Sequence, residues 1–340
     1  MNDSELAERY RFAPEILAAV RVASRPDNWH GPLEAVQHWA WIAFWCAASV
    51  LLWQRAPGWL AVPVYLLAVL FIGGRQRGIA GMLHMGTHRV FMANHRIGSM
   101  LSAVLGGYPV LQSYTGYRAS HLGEHHGRLG DPVRDPDYRQ YRDNGLCGDN
   151  LSQRALRRYL CRVVTPRATA SYVLYLLRHR ILAADERPGE RALRLVLLAA
   201  VLAWAVLGGW WLWLLLLWLV PLVTTQVWIG AVTELMEHFP IIETAPRMDI
   251  YLTWNRVYGL VTRFLLGEQD GEGFHLVHHL FPRTPIWRLR EVDAILRRDP
   301  VYAALPLLGG AVSGLEQIYR SLPARQSGAG SDVDPIGVRV

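Results

Sequence analysis

The sequence has little charge and few cysteines for its length. Only 19% of its 340 residues are charged, below the ~25% that is usual for soluble domains. It contains no lysine, so all of the positive charge comes from arginine. Its three cysteines, Cys46, Cys147 and Cys161, have no CxxC spacing, which argues against a disulfide framework and against a rubredoxin-type metal site. The N-terminal residues MNDSELAERYRF are charged and do not resemble a signal peptide.

Several sequence motifs are also missing. There is no HPGG sequence of the cytochrome b5 type, no GxGxxG after a predicted strand and no cysteine cluster for an iron–sulfur centre. No HExxH sequence occurs either, which argues against a membrane zinc hydrolase. The net charge of +7 suits a protein beside anionic lipid headgroups. Nucleic-acid binding is not expected, because the arginines flank apolar runs and no recognised binding motif accompanies them.

Long apolar runs are the main feature that is present, in a chain that is 51% hydrophobic with 14 tryptophans. Residues 195–233 contain no charged residue. As one continuous helix this run would be roughly 58 Å long, about twice the ~30 Å hydrocarbon core of a bilayer. Two spans, about 193–208 and 210–233, are therefore predicted, with a turn at Gly208-Gly209 and tryptophans at the interface. The alternative is a buried helical hairpin in a soluble protein.

A second apolar pair, about 35–54 and 56–80, is separated by Arg55 and a Pro-Gly turn. Arginine is dense across residues 118–194, whereas the predicted turns of both hairpins carry at most Arg55. By the positive-inside rule both hairpins enter from the cytoplasm, and both termini remain there. We therefore expect an all-α protein of the cell inner membrane with four transmembrane helices in two hairpins.

The predicted domain boundaries follow from these runs. Residues 1–34 are expected to be a cytosolic segment, residues 35–325 the membrane domain and residues 326–340 a disordered tail. Residues 97–117 are also uncharged, but they contain many glycine, serine and tyrosine residues. If they crossed the membrane, the histidines before and after them would face opposite compartments. We therefore predict that they are interfacial or re-entrant.

Nine of the 13 histidines fall into four short segments. These are HMGTH with His84 and His88, HLGEHH with His121, His125 and His126, TELMEHFP with His238, and GFHLVHHLFP with His275, His278 and His279. Residues at i and i+4 of a helix point the same way. The pairs predicted to form two-pronged clamps are His84/His88, His121/His125 and His275/His279. His278 is expected to join the last clamp, and His126 to be rotated by about 100° from His125.

Imidazoles grouped beside a membrane indicate metal binding. Protonated together they would repel one another, and neutral without partners they would be costly to bury. Imidazole suits zinc, copper, iron and nickel, and one structural zinc needs only four ligands, so nine imidazoles predict two metal ions. The other histidines, His30, His38, His95 and His179, have no partner at clamp spacing and are not expected to be ligands. A metal transporter, the distant alternative, would place histidines within the spans, which contain almost none beyond His38.

The pattern HX3H, HX3HH and HX2HH, interleaved with two predicted membrane hairpins, resembles the membrane fatty acid desaturase/hydroxylase superfamily of histidine-box di-iron enzymes. GDPVRDPDYRQY after the second box, and HLVHHLFPRTP with WRL downstream, are also similar to segments of that family. The resemblance covers roughly residues 35–305. It implies a cytosolic helical cap that holds two iron ions, with the ligands His84, His88, His121, His125, His126, His238, His275, His278 and His279.

In the stearoyl-CoA desaturase branch of the family, an asparagine four residues before the isolated histidine completes the ligand set through water. Here Glu234 has that position, so it is a further candidate ligand, or else an interfacial charge at a helix end. Glu237 competes with it, although on a helix it points about 100° away from His238. Other acidic residues could accept the free N–H of a ligating imidazole, but individually we expect them to form turns. They are Asp131, Asp135, Asp137, Glu268, Asp270 and Glu272.

The resemblance implies an O2-dependent desaturase that uses two non-haem iron ions to introduce a double bond into an acyl chain or similar lipid-like substrate. A hydroxylase acting on an apolar substrate such as an alkane, carotenoid or sphingoid base is the alternative, because both reactions share the histidine pattern. Since no redox module is fused to the chain, electrons are expected from a separate carrier. A ferredoxin with its reductase, docking on the basic cytoplasmic face, would serve.

Overall fold

The computed structural model describes residues 7–176 and 186–324, and the predicted tail, residues 326–340, lies outside them. The described chain is mostly helical. Its α-helices are α1 Pro14–Ala23, α2 His30–Arg55, α3 Gly58–Thr87, α4 His95–Ser102, α5 Tyr114–Arg118, α6 Pro136–Asp143, α7 Gln153–Val163, α8 Pro166–Leu176, α9 Pro188–Leu207, α10 Trp211–Leu214, α11 Val220–Val223, α12 Thr225–His238, α13 Ile241–Thr244, α14 Leu260–Leu266, α15 His275–Leu280, α16 Ile286–Leu296, α17 Pro300–Ala303 and α18 Ala311–Ser321. Three π-helical segments are Ala103–Gly107, Ala119–His125 and Leu215–Leu219.

Three helical stretches in the described residues are long and apolar enough to cross a membrane. They are α2, α3 and Trp211–Thr244, which runs from α10 to α13. They coincide with the predicted spans 35–54, 56–80 and 210–233. Three such helices indicate a membrane protein by length and composition, and the fourth span expected from the sequence stays a prediction.

The remaining predicted span, residues 193–208, falls on α9. The first two turns of α9 carry Glu190, Arg191 and Arg194, and its charge-free part, residues 195–207, is shorter than the ~20 apolar residues of a typical span. Arg194 is fully buried and its Nε donates to Glu186 Oε1 at 2.9 Å. The polar start of α9 is therefore held inside the protein by a paired charge.

α3 is the central helix of the fold. Its 30 residues make it about 45 Å long, which exceeds the ~30 Å hydrocarbon core. It packs against α2, α12 and α14, and Ile72, Ile79 and Met82 on it are fully buried. Its last turn carries His84, and His88 caps its end. The length of α3 beyond that of the hydrocarbon core thus leaves room for the first histidine box at the C-terminal end of this helix.

Glycine permits a close contact that fixes the loop before the third histidine box. Gly267 ends α14 with φ +69°, and a Cβ built there would lie 1.8 Å from the carbonyl oxygen of Gly74 on α3. A side chain at Gly267 would therefore meet both an unfavourable backbone conformation and a steric clash. The chain after α14 lies directly against α3 as a result.

Residues 97–117, predicted to be interfacial or re-entrant, form a series of short helical pieces along α3. α4 continues into the π-helical segment Ala103–Gly107, a 3-10 turn follows, and Leu111 has φ +64°. The segment begins and ends near the same end of α3, because Nε2 of His88 and Nε2 of His121 are 3.0 Å apart.

The described chain is not entirely α-helical. Strands β1 Asn255–Val257 and β2 Leu307–Gly309 pair in parallel, with Asn255 opposite Leu307. Three residues are too few for an alternating pattern to be recognisable in the sequence. The strand pair joins the segment before α14 to the segment before α18, and it positions Asn255 and Arg256 beside α15.

Candidate metal centre

The nine histidines predicted from the sequence meet at the C-terminal ends of α3 and α12. Their ring nitrogens fall into two groups, and within each group one nitrogen per ring lies within 4.8 Å of all the others. The five-histidine group is His84, His88, His121, His126 and His278. The four-histidine group is His125, His238, His275 and His279. Each box therefore contributes to a centre that is assembled from distant parts of the chain.

In the five-histidine group the contacts are between Nε2 atoms. His278 Nε2 lies 2.9 Å from His84 Nε2 and 3.0 Å from His126 Nε2. His88 Nε2 lies 3.0 Å from His121 Nε2. Five rings from three helical segments thus direct the same nitrogen inward.

The four-histidine group has the same arrangement with slightly longer separations. His279 Nε2 is 3.2 Å from His125 Nε2 and 3.2 Å from His275 Nε2. His275 Nε2 is 3.3 Å from His238 Nε2. His238 and His275 are buried, as is His125, so water has little access to this group.

These separations fit imidazoles that share a metal ion. Two nitrogens that each lie 2.0–2.1 Å from one metal are roughly 2.9–3.4 Å apart at octahedral or tetrahedral angles. The observed Nε2 separations run from 2.9 to 3.3 Å. Neutral imidazole is a good ligand for several transition metals, so the donor set fits one metal ion in each group.

Metal binding needs imidazoles in the neutral form, and burial favours that form. Burial lowers the pKa of the imidazoles outside the candidate spans, and the neighbouring rings lower it further. The residues concerned are His88, His121, His126, His275, His278 and His279. At neutral pH these rings therefore each keep one nitrogen lone pair available to a metal.

The second box does not form the predicted clamp. His121 belongs to the five-histidine group and His125 to the four-histidine group, whereas His121 and His126 lie together. The cause is the π-helical segment Ala119–His125. In a π-helix the repeat is i to i+5 rather than i to i+4, so His126 replaces His125 on the face of His121.

The third box is also divided. His275 and His279 stay together as predicted, but His278 enters the five-histidine group instead of joining them. α15 therefore lies between the two groups and supplies both. His84 and His88 on α3 share one group, as the i and i+4 spacing predicted.

Comparison with known proteins identifies the family to which the chain belongs. The family model described as fatty acid desaturase matches residues 57–308, which is most of the chain. The chain belongs to the fatty acid desaturase family. It is also 32% identical over 295 residues to the dihydrorhizobitoxine desaturase of Bradyrhizobium elkanii, a match that covers 85% of this chain and 81% of that protein.

In this member of the family, carboxylates behind His125 fix its orientation. His125 Nδ1 is 3.0 Å from Asp135 Oδ1 and 3.1 Å from Asp137 Oδ2. Burial acts to lower the pKa of His125, but the carboxylates of Asp137 and Asp135 outweigh it and raise that pKa to about 9. The carboxylates hold the Nδ1 proton, so a metal that binds this ring does so at Nε2, in place of the second proton that the ring carries at neutral pH without a metal. Asp135 also accepts from the backbone N–H groups of Gly130 and Asp137, so it combines the turn role that was expected with an orienting role.

His238 is oriented by the backbone. Its Nδ1 lies 3.2 Å from the carbonyl oxygen of Leu252 and 3.3 Å from Thr253 Oγ1. An N–H on Nδ1 that donates to this carbonyl directs Nε2 toward His275. A backbone acceptor has no sequence signature, so this partner is absent from the sequence-based expectations.

Asn255 positions α15 and was also missed. Its Oδ1 accepts from the backbone N–H of Leu276 at 3.0 Å, in the first turn of the helix, where N–H groups have no partner within the helix. Its Nδ2 donates to the hydroxyl of Tyr302 at 2.8 Å, and that hydroxyl donates to Asp293 Oδ1 at 2.7 Å. The first turn of the third box is thereby tied to α16 and α17.

A buried ion-pair network adjoins the four-histidine group. Arg256, which is 1% exposed, donates from Nη1 to Glu237 Oε1 at 2.7 Å and from Nη2 to Glu268 Oε2 at 3.2 Å. Arg77 pairs with Glu272. Two of the acidic residues considered as imidazole acceptors, Glu268 and Glu272, thus pair with arginines. Asp270 pairs at the surface with Arg263 and Arg290.

Glu234 and Glu237 lie in different places relative to the histidines. The Glu234 carboxyl group lies beside that of Asp137, which in turn lies behind His125. Glu237 Oε2 is 3.5 Å from His275 Nε2, the nitrogen that faces the rest of its group. Neither carboxylate is part of the two converging groups in the described residues, although Glu237 comes nearer to them.

Among the described residues, His30, His38 and His95 belong to neither group. His30 Nδ1 contacts Asp27 Oδ2 at 2.6 Å, and its ring stacks on Trp287. His38 is buried on α2, and His95 is the first residue of α4. His179 lies outside the described residues.

Proposed function

We propose that this protein is an O2-dependent di-iron desaturase that introduces a double bond into an acyl chain or similar lipid-like substrate. The observation that carries the proposal is the convergence of nine Nε2 atoms into two groups in a chain of the fatty acid desaturase family. The proposed iron ligands are His84, His88, His121, His126 and His278 for one ion and His125, His238, His275 and His279 for the other.

Iron is proposed from the family, because imidazole alone does not select it. When bound, two iron ions supply the electron transfer that reduces O2 and the oxidising power that removes hydrogen from an unactivated C–H bond. In the overall reaction a CH2–CH2 unit, O2, two electrons and two protons give a CH=CH unit and two waters. The protein holds the ligands, excludes water and places two adjacent substrate carbons beside the centre.

Polar contacts behind the imidazoles support this assignment. Asp135 and the carbonyl oxygen of Leu252 retain the Nδ1 protons of His125 and His238, so each ring presents Nε2 in one tautomer. Glu234 acts behind His125 through Asp137 and does not bind iron directly. Glu237 stays paired with Arg256 at the edge of the four-histidine group.

The substrate is proposed to reach the site from the membrane, since the centre lies at the ends of candidate spans. The name of the Bradyrhizobium relative adds dihydrorhizobitoxine to the substrates that should be tested. Electrons come from a separate donor such as a ferredoxin with its reductase. We place the histidine centre in a cytosolic helical cap at the inner membrane, with both termini in the cytoplasm.

The proposal is tested with purified full-length protein, ferredoxin, ferredoxin reductase and NADPH, with products identified by mass spectrometry. We expect a product 2 Da lighter than the substrate, and none when the ferredoxin is omitted. A product 16 Da heavier would identify a hydroxylase instead. Full activity with NADPH alone would contradict a separate donor.

Matched variants connect this activity to the centre. His278→Ala removes a proposed ligand and is expected to abolish turnover, whereas His30→Ala removes a histidine outside both groups and should preserve it. Lipid and metabolite profiles of cells that carry each variant extend the test to unidentified substrates. Product formation by His278→Ala at the wild-type rate would contradict the assignment.

A further inference from the structure

A cavity of about 240 Å3 lies against the outer side of the five-histidine group. Three arginines line it, namely Arg89, Arg118 and Arg283, together with His88. Each arginine flanks one histidine box, because Arg89 directly follows His88, Arg118 precedes the second box and Arg283 follows the third. The folding that joins the boxes therefore also joins their flanking positive charges.

These arginines have no carboxylate partner among residues 7–176 and 186–324. All three are exposed, and no ion pair of the described chain includes them. Ion pairs hold some other arginines of the described chain, such as buried Arg256 and exposed Arg290. Three guanidinium groups at one cavity repel one another, and an anion among them would remove that repulsion. Guanidinium binds carboxylate and phosphate with two parallel hydrogen bonds.

The backbone at Arg89 gives a second reason to assign a role to its side chain. Arg89 has φ +63° just after the end of α3, a conformation in which glycine is most favourable. Backbone preference therefore does not account for arginine at this position. Its side chain contributes a charge directly beside His88.

The remaining lining determines how much of a ligand fits. Leu122 and Pro282 add apolar surface between the arginines. The cavity is smaller than the ~300–1,000 Å3 of pockets for drug-sized ligands. It therefore fits one end of a molecule, with an acidic group against the arginines and a few carbon atoms against the apolar residues.

We propose that this cavity binds the acidic group of the substrate, a carboxylate or phosphate, through Arg89, Arg118 and Arg283. The inference rests on the proposed desaturase function and narrows its substrate to a molecule with an anionic end. Because His88 both lines the cavity and belongs to the five-histidine group, the oxidised C–H bonds lie near that acidic end. A short acid satisfies this requirement better than the middle of a long acyl chain.

Calorimetric titration of the purified, iron-loaded protein with hexanoate tests the proposal. Hexanol, of equal chain length and without charge, is the matched control ligand. We expect hexanoate to bind, hexanol to bind at least about tenfold more weakly, and inorganic phosphate to compete with hexanoate. Equal binding of hexanol and hexanoate would overturn the proposal.

Variants of the cavity arginines test whether hexanoate binds in this cavity. Arg118→Gln and Arg283→Gln, both at exposed positions, should each weaken hexanoate binding by about tenfold or more, because each removes a charge-assisted contact. Arg118→Lys keeps the charge without the two-pronged geometry and should recover part of the affinity. Arg320→Gln, at an exposed arginine of α18, is the control and should bind as the wild type does. Unchanged hexanoate binding in both cavity variants would refute the assignment.

The same variants separate a substrate acid from a lipid headgroup or a protein partner. Their binding to phosphatidylglycerol and phosphatidylcholine vesicles, and their KM for ferredoxin, are measured in parallel. If only vesicle binding or only the KM for ferredoxin changes, the cavity does not bind the substrate acid. Iron content distinguishes the cavity proposal from the proposed desaturase function. If a variant loses hexanoate binding and keeps its iron, the result bears on the cavity alone. A wild-type chain without iron would instead contradict the desaturase function.

Discussion

The four-histidine group and the five-histidine group are built in different ways. In the four-histidine group, His125 and His238 have polar partners on Nδ1, from Asp135 and Asp137 and from the carbonyl oxygen of Leu252. In the five-histidine group, no Nδ1 has such a partner within the described ranges, and edge-to-face ring contacts, which both groups have, stand alone there. His88 and His278, for example, have ring centroids 4.6 Å apart at 89°.

This difference indicates two ways to hold an imidazole. Hydrogen bonds behind the ring fix His125 and His238 in the four-histidine group, whereas helix position, ring packing and a fifth imidazole hold the rings of the five-histidine group. Substitutions of the Nδ1 partners of His125 or His238 should therefore affect the four-histidine group selectively. Substitutions of ligands should affect the group to which each ligand belongs.

Removal of a ligand should have the largest effect. His121→Ala in the five-histidine group and His279→Ala in the four-histidine group should each abolish turnover and lower the iron content from about two ions per chain to about one. Mössbauer spectra should lose a different component in each variant. Spectra that change identically would indicate that the division into two groups is wrong. His30→Ala is the control and should keep both ions.

Asp135→Asn should have the next largest effect. It removes the carboxylate behind His125 while an amide oxygen can still accept from the backbone, so iron in the four-histidine group should bind about 10–100-fold more weakly. Titration of metal-free protein with iron measures the two affinities. Asp131→Asn is the matched control, since Asp131 accepts from the backbone N–H groups of Val133 and Arg134. Equal weakening of both ions would contradict the selectivity.

Asn255→Ala should have a smaller effect, and it should reach both groups. It leaves the buried N–H of Leu276 without its acceptor, which costs about 1–3 kcal/mol of stability. Because α15 supplies ligands to both groups, the two iron affinities should fall together while the thermal unfolding temperature decreases. A loss confined to one ion would show that α15 is not held as a unit by this contact.

Glu234→Gln should have the smallest effect. The Glu234 side chain contacts Asp137 and not a converging nitrogen, so iron content should remain about two per chain and iron affinity should change by less than about threefold. Iron titration is the measurement, and Glu237→Gln, beside His275, is the comparison. If Glu234→Gln released one ion, Glu234 would be a direct ligand after all.

The sequence predicted the participants of the site better than their arrangement. Histidine spacing and apolar runs identified all nine converging imidazoles and three of the helices that could span a membrane. The division of the second box was not predictable from i and i+4 spacing, because it follows from the π-helical segment Ala119–His125. A π-helical repeat has no composition signature that distinguishes it from an α-helix.

Contacts that depend on tertiary structure were also outside the reach of sequence patterns. Asn255 and Arg256 lie on a strand of three residues, too short to be recognised, and the carbonyl oxygen of Leu252 carries no side-chain signal. The start of α9 gives another example. Arg194 lies at the edge of an apolar run, but its buried pairing with Glu186 depends on a fold that hydropathy does not describe.

The central claim is that the nine imidazoles hold two iron ions in separate groups. Iron analysis of the purified full-length protein, combined with Mössbauer spectroscopy of the iron-57 form, tests it most directly. We predict about two iron ions per chain and two resolvable iron environments. A single zinc ion per chain, or metal content that varies with the growth medium, would contradict the account.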